Sequence, residues 1–144
     1  YTNFTPEEQH TMLTLWCLFG SPLMLGCELT KLDDATLALL TNRDVLSMLT
    51  PDCKPHQVCL DDEKAIWCAY NAVTGEHFAA FFNLSDETQT IHCDIETLHV
   101  GDEPCAHKDA SLTELWSKEK TSVSGSAISV TPPAHGCLVF RVEN

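Results

Sequence analysis

The sequence predicts an α/β segment over residues 1–52 followed by an all-β domain over residues 53–144. Up to Thr50 the apolar residues recur at helical spacing around one short uninterrupted apolar run. Beyond Thr50-Pro51-Asp52 every pattern either alternates with period two or is a short apolar run. Pro51 and Pro55 bracket a polar stretch at the change of rhythm, and the domain boundary is placed there.

Thr5-Pro6-Glu7-Glu8 reads as a helix start, with Thr5 as N-cap, Pro6 in the first helical position and Glu8 reaching back as a capping box. The helix is expected to run to about Phe19 and to present Met12, Leu15, Trp16 and Phe19 as its packing face. Gly20-Ser21-Pro22 stops it. Leu23-Met24-Leu25 reads as a short strand covered on both faces, ended by Gly26. Asp33 or Asp34 then caps a helix over Ala35 to Leu40, and Thr41 or Asn42 caps another over Arg43 to Leu49. Helix, strand, helix is the rhythm of an α/β protein, yet these residues cannot close a parallel sheet alone, so they are expected to belong to a larger domain.

In the second segment, Lys64 to Tyr70 and Glu76 to Phe82 form a hairpin through Asn71-Ala72-Val73-Thr74-Gly75, where Gly75 can take positive φ. Thr88 to Cys93, Ser111 to Trp116, Ala127 to Thr131 and Cys137 to Val142 supply further strands. In the last, Leu138, Phe140 and Val142 are expected to face the core, with Cys137, Val139 and Arg141 on the other side. Short strands at this spacing point to a β-sandwich.

Composition bounds the function. At 144 residues and 44% hydrophobic content the chain is too apolar for disorder, and a formal charge of −13 repels nucleic acid and anionic membrane surfaces, so neither is an expected partner. The longest apolar stretch, Leu13 to Leu25, is interrupted and too short to span a bilayer. Residue 1 is Tyr, with neither an initiator Met nor a signal peptide, and the sequence is expected to begin inside a longer protein. Of eight cysteines, Cys17 lies in a helical pattern and Cys68, Cys93 and Cys137 in strand patterns, as reduced buried thiols do. A cytoplasmic protein is expected on that ground, with secretion as the alternative. Asn3-Phe4-Thr5 and Asn83-Leu84-Ser85 match the glycosylation acceptor pattern, a short pattern that arises often by chance.

Several groups invite a chemical reading and receive a structural one. Asp33-Asp34 opens a helix and Asp61-Asp62 sits in a polar turn, so capping or solvation is the expected role. Cys53, His56 and Cys59, with Cys105 and His107, could surround zinc, but their spacing matches no common structural pattern, and no metal or cofactor is assigned. His10 and Ser21 lack the partners of a metalloprotease helix or a nucleophile elbow. Trp67, Tyr70, Phe78, Phe81, Phe82 and Trp116 could stack sugars, but their period-two spacing favours core positions.

Trp16, then Ser21-Pro22-Leu23-Met24-Leu25-Gly26-Cys27-Glu28-Leu29-Thr30-Lys31-Leu32-Asp33, then Leu39-Leu40-Thr41-Asn42 and Val45, form a long ordered match to one family. Looser matches follow at Ala69-Tyr70-Asn71, Phe81-Phe82-Asn83-Leu84-Ser85, Glu114-Leu115-Trp116 and Pro132-Pro133-Ala134-His135-Gly136. With these residues the chain resembles the melibiase group, the α-galactosidases and α-N-acetylgalactosaminidases of glycoside hydrolase family twenty-seven. The resemblance implies the last helix-strand-helix portion of a (β/α)₈ barrel followed by an antiparallel β-sandwich, in a retaining enzyme acting on terminal α-galactosides. It also implies that both catalytic aspartates precede Tyr1, so no catalytic residue is assigned within this chain. Gly26, Cys27 and Glu28 are the candidate substrate-binding residues, because the C-terminal ends of barrel strands face the active site. Glu28 stands where the family usually has Asp. The alternatives are a carbohydrate-binding or a purely structural β-sandwich module, and the orphaned barrel remnant is expected either to fold back on the β domain's barrel-facing surface or to pair two chains.

Overall fold

The computed structural model describes residues 2–144; Tyr1, where the expected internal start falls, lies outside the described residues. Helix α1 (Pro6–Phe19) starts with both halves of the capping box: Thr5 Oγ1 accepts from the Glu8 N–H at 3.2 Å and Glu8 Oε2 from the Thr5 N–H at 2.8 Å. Asp33 caps α2 (Asp34–Leu40) by accepting from the Thr36 N–H, and Asn42 caps α3 (Arg43–Leu46) by accepting from the N–H groups of Asp44 and Val45. The last helix stops at Leu46 rather than Leu49, because the chain turns there toward the first strand.

Ten strands follow: β1 (Cys53–Leu60), β2 (Lys64–Asn71), β3 (His77–Asn83), β4 (Ile91–Asp94), β5 (His99–Val100), β6 (Glu103–Pro104), β7 (Ser111–Glu114), β8 (Lys120–Ser122), β9 (Ala127–Val130) and β10 (Cys137–Glu143). Six of them form one antiparallel sheet in the order β1-β2-β3-β10-β7-β8, while β4 pairs with β9 and β5 with β6. Gly75 closes the β2–β3 turn at φ 77°, as expected of its position.

Two cores lie on opposite faces of the six-stranded sheet. One contains Ile66, Cys68, Phe81, Phe140 and Val142 packed against Ile91, Cys93, Ile128 and Val130 of the β4–β9 ladder, which makes the sandwich. The other contains Ala80, Phe82, Cys137 and Val139 packed against Leu13, Cys17 and Leu18 of α1 and Val45 of α3. β10 is therefore covered on both sides: Cys137 and Val139 are as buried as Phe140 and Val142, contrary to the expectation of a single core face.

Three further expectations are corrected. α1 buries Leu13, Thr14, Cys17 and Leu18, whereas Met12 and Phe19 of the expected face are exposed at 41% and 53%. Thr14 disguised the buried side, since its hydroxyl is satisfied by the Trp116 Nε1–H at 3.0 Å and the Cys137 Sγ–H at 3.5 Å. Burying each of Leu13 and Leu18 contributes about 1.5–3 kcal/mol, which ties α1 to the sheet. Leu23 to Leu25 is not a strand; it runs as irregular chain with Met24 81% exposed, because no neighbouring strand among the described residues pairs with it. Finally, the polar stretch bracketed by Pro51 and Pro55 runs into the edge strand β1, where Pro55 is tolerated because an edge strand has an unpaired side.

Candidate functional site

The loop carrying Gly26, Cys27 and Glu28 leaves α1 through Gly20, whose φ is 66°, and is steered by the Trp16 Nε1–H donating to Pro22 O at 3.1 Å. All three residues are exposed and none belongs to a helix or strand. Glu28 is held by its own neighbours: Lys31 Nζ lies 2.9 Å from Oε2 and the Thr30 hydroxyl donates to Oε1 at 2.8 Å. The Lys31 ammonium, then the Thr30 hydroxyl, hold the Glu28 carboxyl below the usual carboxylate range, so it is a fixed anion at neutral pH. A side-chain carbon added at Gly26 would meet nothing within 4 Å.

The adjacent carboxylates are committed to local structure. Asp33 Oδ1 accepts from the Thr36 N–H at 2.7 Å. Asp61 accepts from the N–H groups of Glu63 and Lys64 at 2.8 and 2.9 Å and from Lys64 Nζ at 2.7 Å. The Lys64 ammonium first, and those two N–H groups after it, pull the Asp61 carboxyl down to about 2. The soft ligands of β1 are separated by the sheet: Cys53 joins the core under α1, while Cys59 packs against the opposite core, which contains Cys105. Phe78, Phe81 and Phe82 are wholly buried, Trp67 meets Phe19 edge-on at 5.1 Å, and Tyr70 stacks on His77 at 4.8 Å. Those five aromatic rings therefore serve packing.

A groove of about 540 Å³ opens between α1, α2, α3 and the turn after β7, lined by His10, Leu39, Asn42, Arg43, Trp116 and Lys118. The His10 and Trp116 rings lie 4.4 Å apart. Burial lowers the His10 pKa against the opposing pull of Glu114 and Glu7, so the ring is neutral at pH 7. Asn42 Nδ2 donates to Leu115 O at 3.0 Å, Lys118 Nζ donates to Asp44 and, at 2.7 Å, to Leu115 O, and Arg141 Nη2 reaches Asp44 Oδ1 at 3.3 Å. The Lys118 ammonium holds the Asp44 carboxyl below its ordinary value against a smaller cost of burial. The cluster latches α3 to the sheet.

Two buried polar side chains went unrecognised in the sequence as organising residues. Glu114, 4% exposed, accepts from the Trp116 and Ser117 N–H groups at 2.9 and 2.6 Å through Oε2 and from the Val139 N–H at 3.1 Å through Oε1. Asn83, 1% exposed, donates through Nδ2 to the carbonyls of Glu87, Pro132 and Pro133 at 2.7, 3.2 and 3.1 Å. Its Oδ1 accepts from the Ser85 N–H, the Ser85 hydroxyl and Gln89 Nε2 at 2.9, 2.7 and 2.7 Å. The Asn83-Leu84-Ser85 pattern is thus a loop clamp whose amide is closed to glycosylation in the folded chain. Gly136 is required in the second clamped loop, since a side-chain carbon there would lie 2.6 Å from Pro133 Cγ.

These features define an antiparallel β-sandwich backed by helices, with its loops pinned by buried polar clamps. Residues 61–142 match the family model described as the α-galactosidase C-terminal β-sandwich domain, and the chain belongs to that family, as the C-terminal part of a glycoside hydrolase family 27 protein of the α-galactosidase and α-N-acetylgalactosaminidase type. It is 25% identical over 146 residues to α-galactosidase A of Cellvibrio japonicus, covering 96% of this chain and 36% of that protein. A family 27 β-L-arabinopyranosidase from Geobacillus stearothermophilus superposes with a TM-score of 0.87 at 30% identity, covering 99% of this chain and 31% of that one. α-Galactosidase I from Mortierella vinacea shares the fold, with a TM-score of 0.83 at 17% identity, over 96% of this chain and 36% of that one. The chain therefore spans about a third of the length of these relatives. No helix among the described residues is long and apolar enough to cross a membrane.

Proposed function

We propose that this chain is the C-terminal portion of a retaining glycoside hydrolase acting on terminal α-galactosides, with both catalytic aspartates upstream of it. In this reading residues 1–52 complete a (β/α)₈ barrel and residues 53–144 are the sandwich that supports it. The observation that carries it is the distribution of exposed apolar side chains. Among the described residues, seven of the ten large ones, Phe4, Met12, Phe19, Met24, Leu25, Leu29 and Leu37, fall within residues 4–37, which is the signature of a face made to be covered. Together with the family match over residues 61–142, this supports a barrel as the cover. Given barrel strands to pair with, the irregular Leu23–Leu25 segment becomes the last barrel strand, and the loop of Gly26, Cys27 and Glu28 follows it and shapes the pocket floor. Cysteine usage favours the reducing cytoplasm over secretion.

The test is hydrolysis of p-nitrophenyl α-galactoside. The chain alone is expected to release no p-nitrophenol above the buffer rate, since a retaining enzyme needs two carboxyl groups about 5–5.5 Å apart. The chain joined to its upstream sequence is expected to exceed that rate by on the order of 10⁶-fold or more. Turnover by the chain alone that survives repurification would sink the proposal. Calorimetry with galactose separates the binding-module alternative, which requires millimolar affinity or better from the chain alone.

Without a barrel the same face is expected to pair two chains. Sedimentation velocity at micromolar concentration should then show a dimer that dissociates on dilution, and a clean monomer throughout would exclude the pairing.

A further inference from the structure

Cys68, in the middle of β2, and Cys105, just after β6, are fully buried in the core beneath the β5–β6 hairpin. The Cys68 thiol donates to His99 O at 3.3 Å, and the Cys105 thiol faces Ala69 O at 3.8 Å, so each sulfur lies against the backbone of the other's segment. Both side chains belong to one buried cluster, and the Cys105 N–H donates to Leu98 O at 2.7 Å, next to the His99 carbonyl that the Cys68 thiol meets. The remaining cysteines are otherwise engaged or distant. Cys93 turns toward Thr97 Oγ1 at 3.3 Å, Cys17, Cys53 and Cys137 occupy the opposite core, Cys59 is half-buried, and Cys27 is exposed in the loop after α1.

We propose that Cys68 and Cys105 are a redox site, a dithiol that closes to a disulfide and staples the β5–β6 hairpin to the central sheet. The oxidant is a low-molecular-weight disulfide such as oxidised glutathione. The Cys105 thiolate attacks one sulfur of it, expelling one glutathione thiolate and leaving a mixed disulfide. The Cys68 thiolate then attacks the Cys105 sulfur and expels the second. Two protein thiols and one glutathione disulfide thus become one protein disulfide and two glutathione thiols. The order follows from position: Cys105 sits at the end of the β5–β6 hairpin and moves out with it, whereas Cys68 stays in β2 within the central sheet. Because both sulfurs are shielded from water, the exchange proceeds during folding or when the hairpin lifts. The hairpin is held by the pair of His77 Nε2 and Glu103 Oε1 at 3.0 Å and by the stacked rings of His56 and His99 at 5.4 Å.

The experiment is refolding of the full chain in a glutathione redox buffer, quenching with iodoacetamide, and digestion at glutamate. Residues 64–76 and 97–114 then carry Cys68 and Cys105 separately, and residues 88–96 carry Cys93. A cross-linked peptide joining the first two is expected, two hydrogens lighter than their sum. The oxidised protein should melt about 5–10 °C above the reduced one. That rise should persist in Cys93→Ala and vanish in Cys105→Ala. Both Cys68 and Cys105 recovered alkylated, or Cys93 linked to either in equal yield, would overturn the proposal, and because the mapping is done on the unmutated chain it decides even if Cys105→Ala does not fold.

Discussion

Asn83→Ala is expected to destabilise the chain by about 4–5 kcal/mol, near the upper limit for a single substitution. The side chain is almost wholly buried and its amide lies within hydrogen-bonding distance of three carbonyls and three donors, so its removal loosens all six contacts at once and takes from Pro132 O and the Ser85 N–H their partner. Those partners lie on two loops, 84–89 and 131–136, that are far apart in sequence and are otherwise joined through His135, whose N–H donates to Ser85 O at 3.3 Å and whose Nε2 lies 2.8 Å from Asp86 Oδ1. Urea unfolding should show a lower midpoint with an unchanged slope, because the surface exposed on unfolding is the same. Ser85→Ala, which removes one side chain from the same clamp, should cost only about 1 kcal/mol. Equal effects of the two substitutions would show that Asn83 does not organise the loops.

Glu114→Ala follows with an expected loss of about 3–4 kcal/mol. Its carboxylate gathers three backbone N–H groups, two from the turn after β7 and one from Val139 in the neighbouring strand. Removing it exposes the turn to water but leaves the Val139 N–H inside, with no acceptor in reach. Glu114→Gln should be little better, because the amide can accept on one side only and presents N–H groups to N–H groups on the other. Amide exchange gives the discriminating readout: protection at Val139 should fall by more than the global loss of stability requires. A variant as stable as the parent would mean that water replaces the carboxylate at no cost.

How much of this was legible depended on how local the determining interaction is. The caps at Thr5, Asp33 and Asn42 and the Gly75 turn are contacts within five residues of sequence, and the expectation and the structure agree at each. The helix face was misjudged because both sides of α1 are apolar enough to pack, and the side chosen by the sheet includes Thr14, whose partners Trp116 and Cys137 are remote in sequence. Two-sided burial was available in the unbroken runs Phe78-Ala79-Ala80-Phe81-Phe82 of β3 and Cys137-Leu138-Val139-Phe140 of β10, neither of which alternates; Arg141 alone argued for a single core face. β1 was hidden by Pro55, harmless only because that strand is at the sheet edge, a fact of topology. Of the site, Glu28 could be singled out only by family likeness, and Asn83 was disguised as a glycosylation pattern because three residues cannot reveal a partner at Pro132 or Pro133.

The place of β10 between β3 and β7 governs the order in which the molecule can be made. On the ribosome α1 emerges before the sheet, and the floor it rests on includes Cys137 and Val139, which are translated roughly 120 residues later. At about 5–20 residues per second, the helix waits on the order of 10 s with Leu13, Cys17 and Leu18 uncovered. Until then β3 and β7 each lack a neighbour, and the sheet is two unjoined ribbons. A nonsense codon between Ser122 and Cys137 would leave them so, converting a folded domain into a substrate for chaperones and proteases.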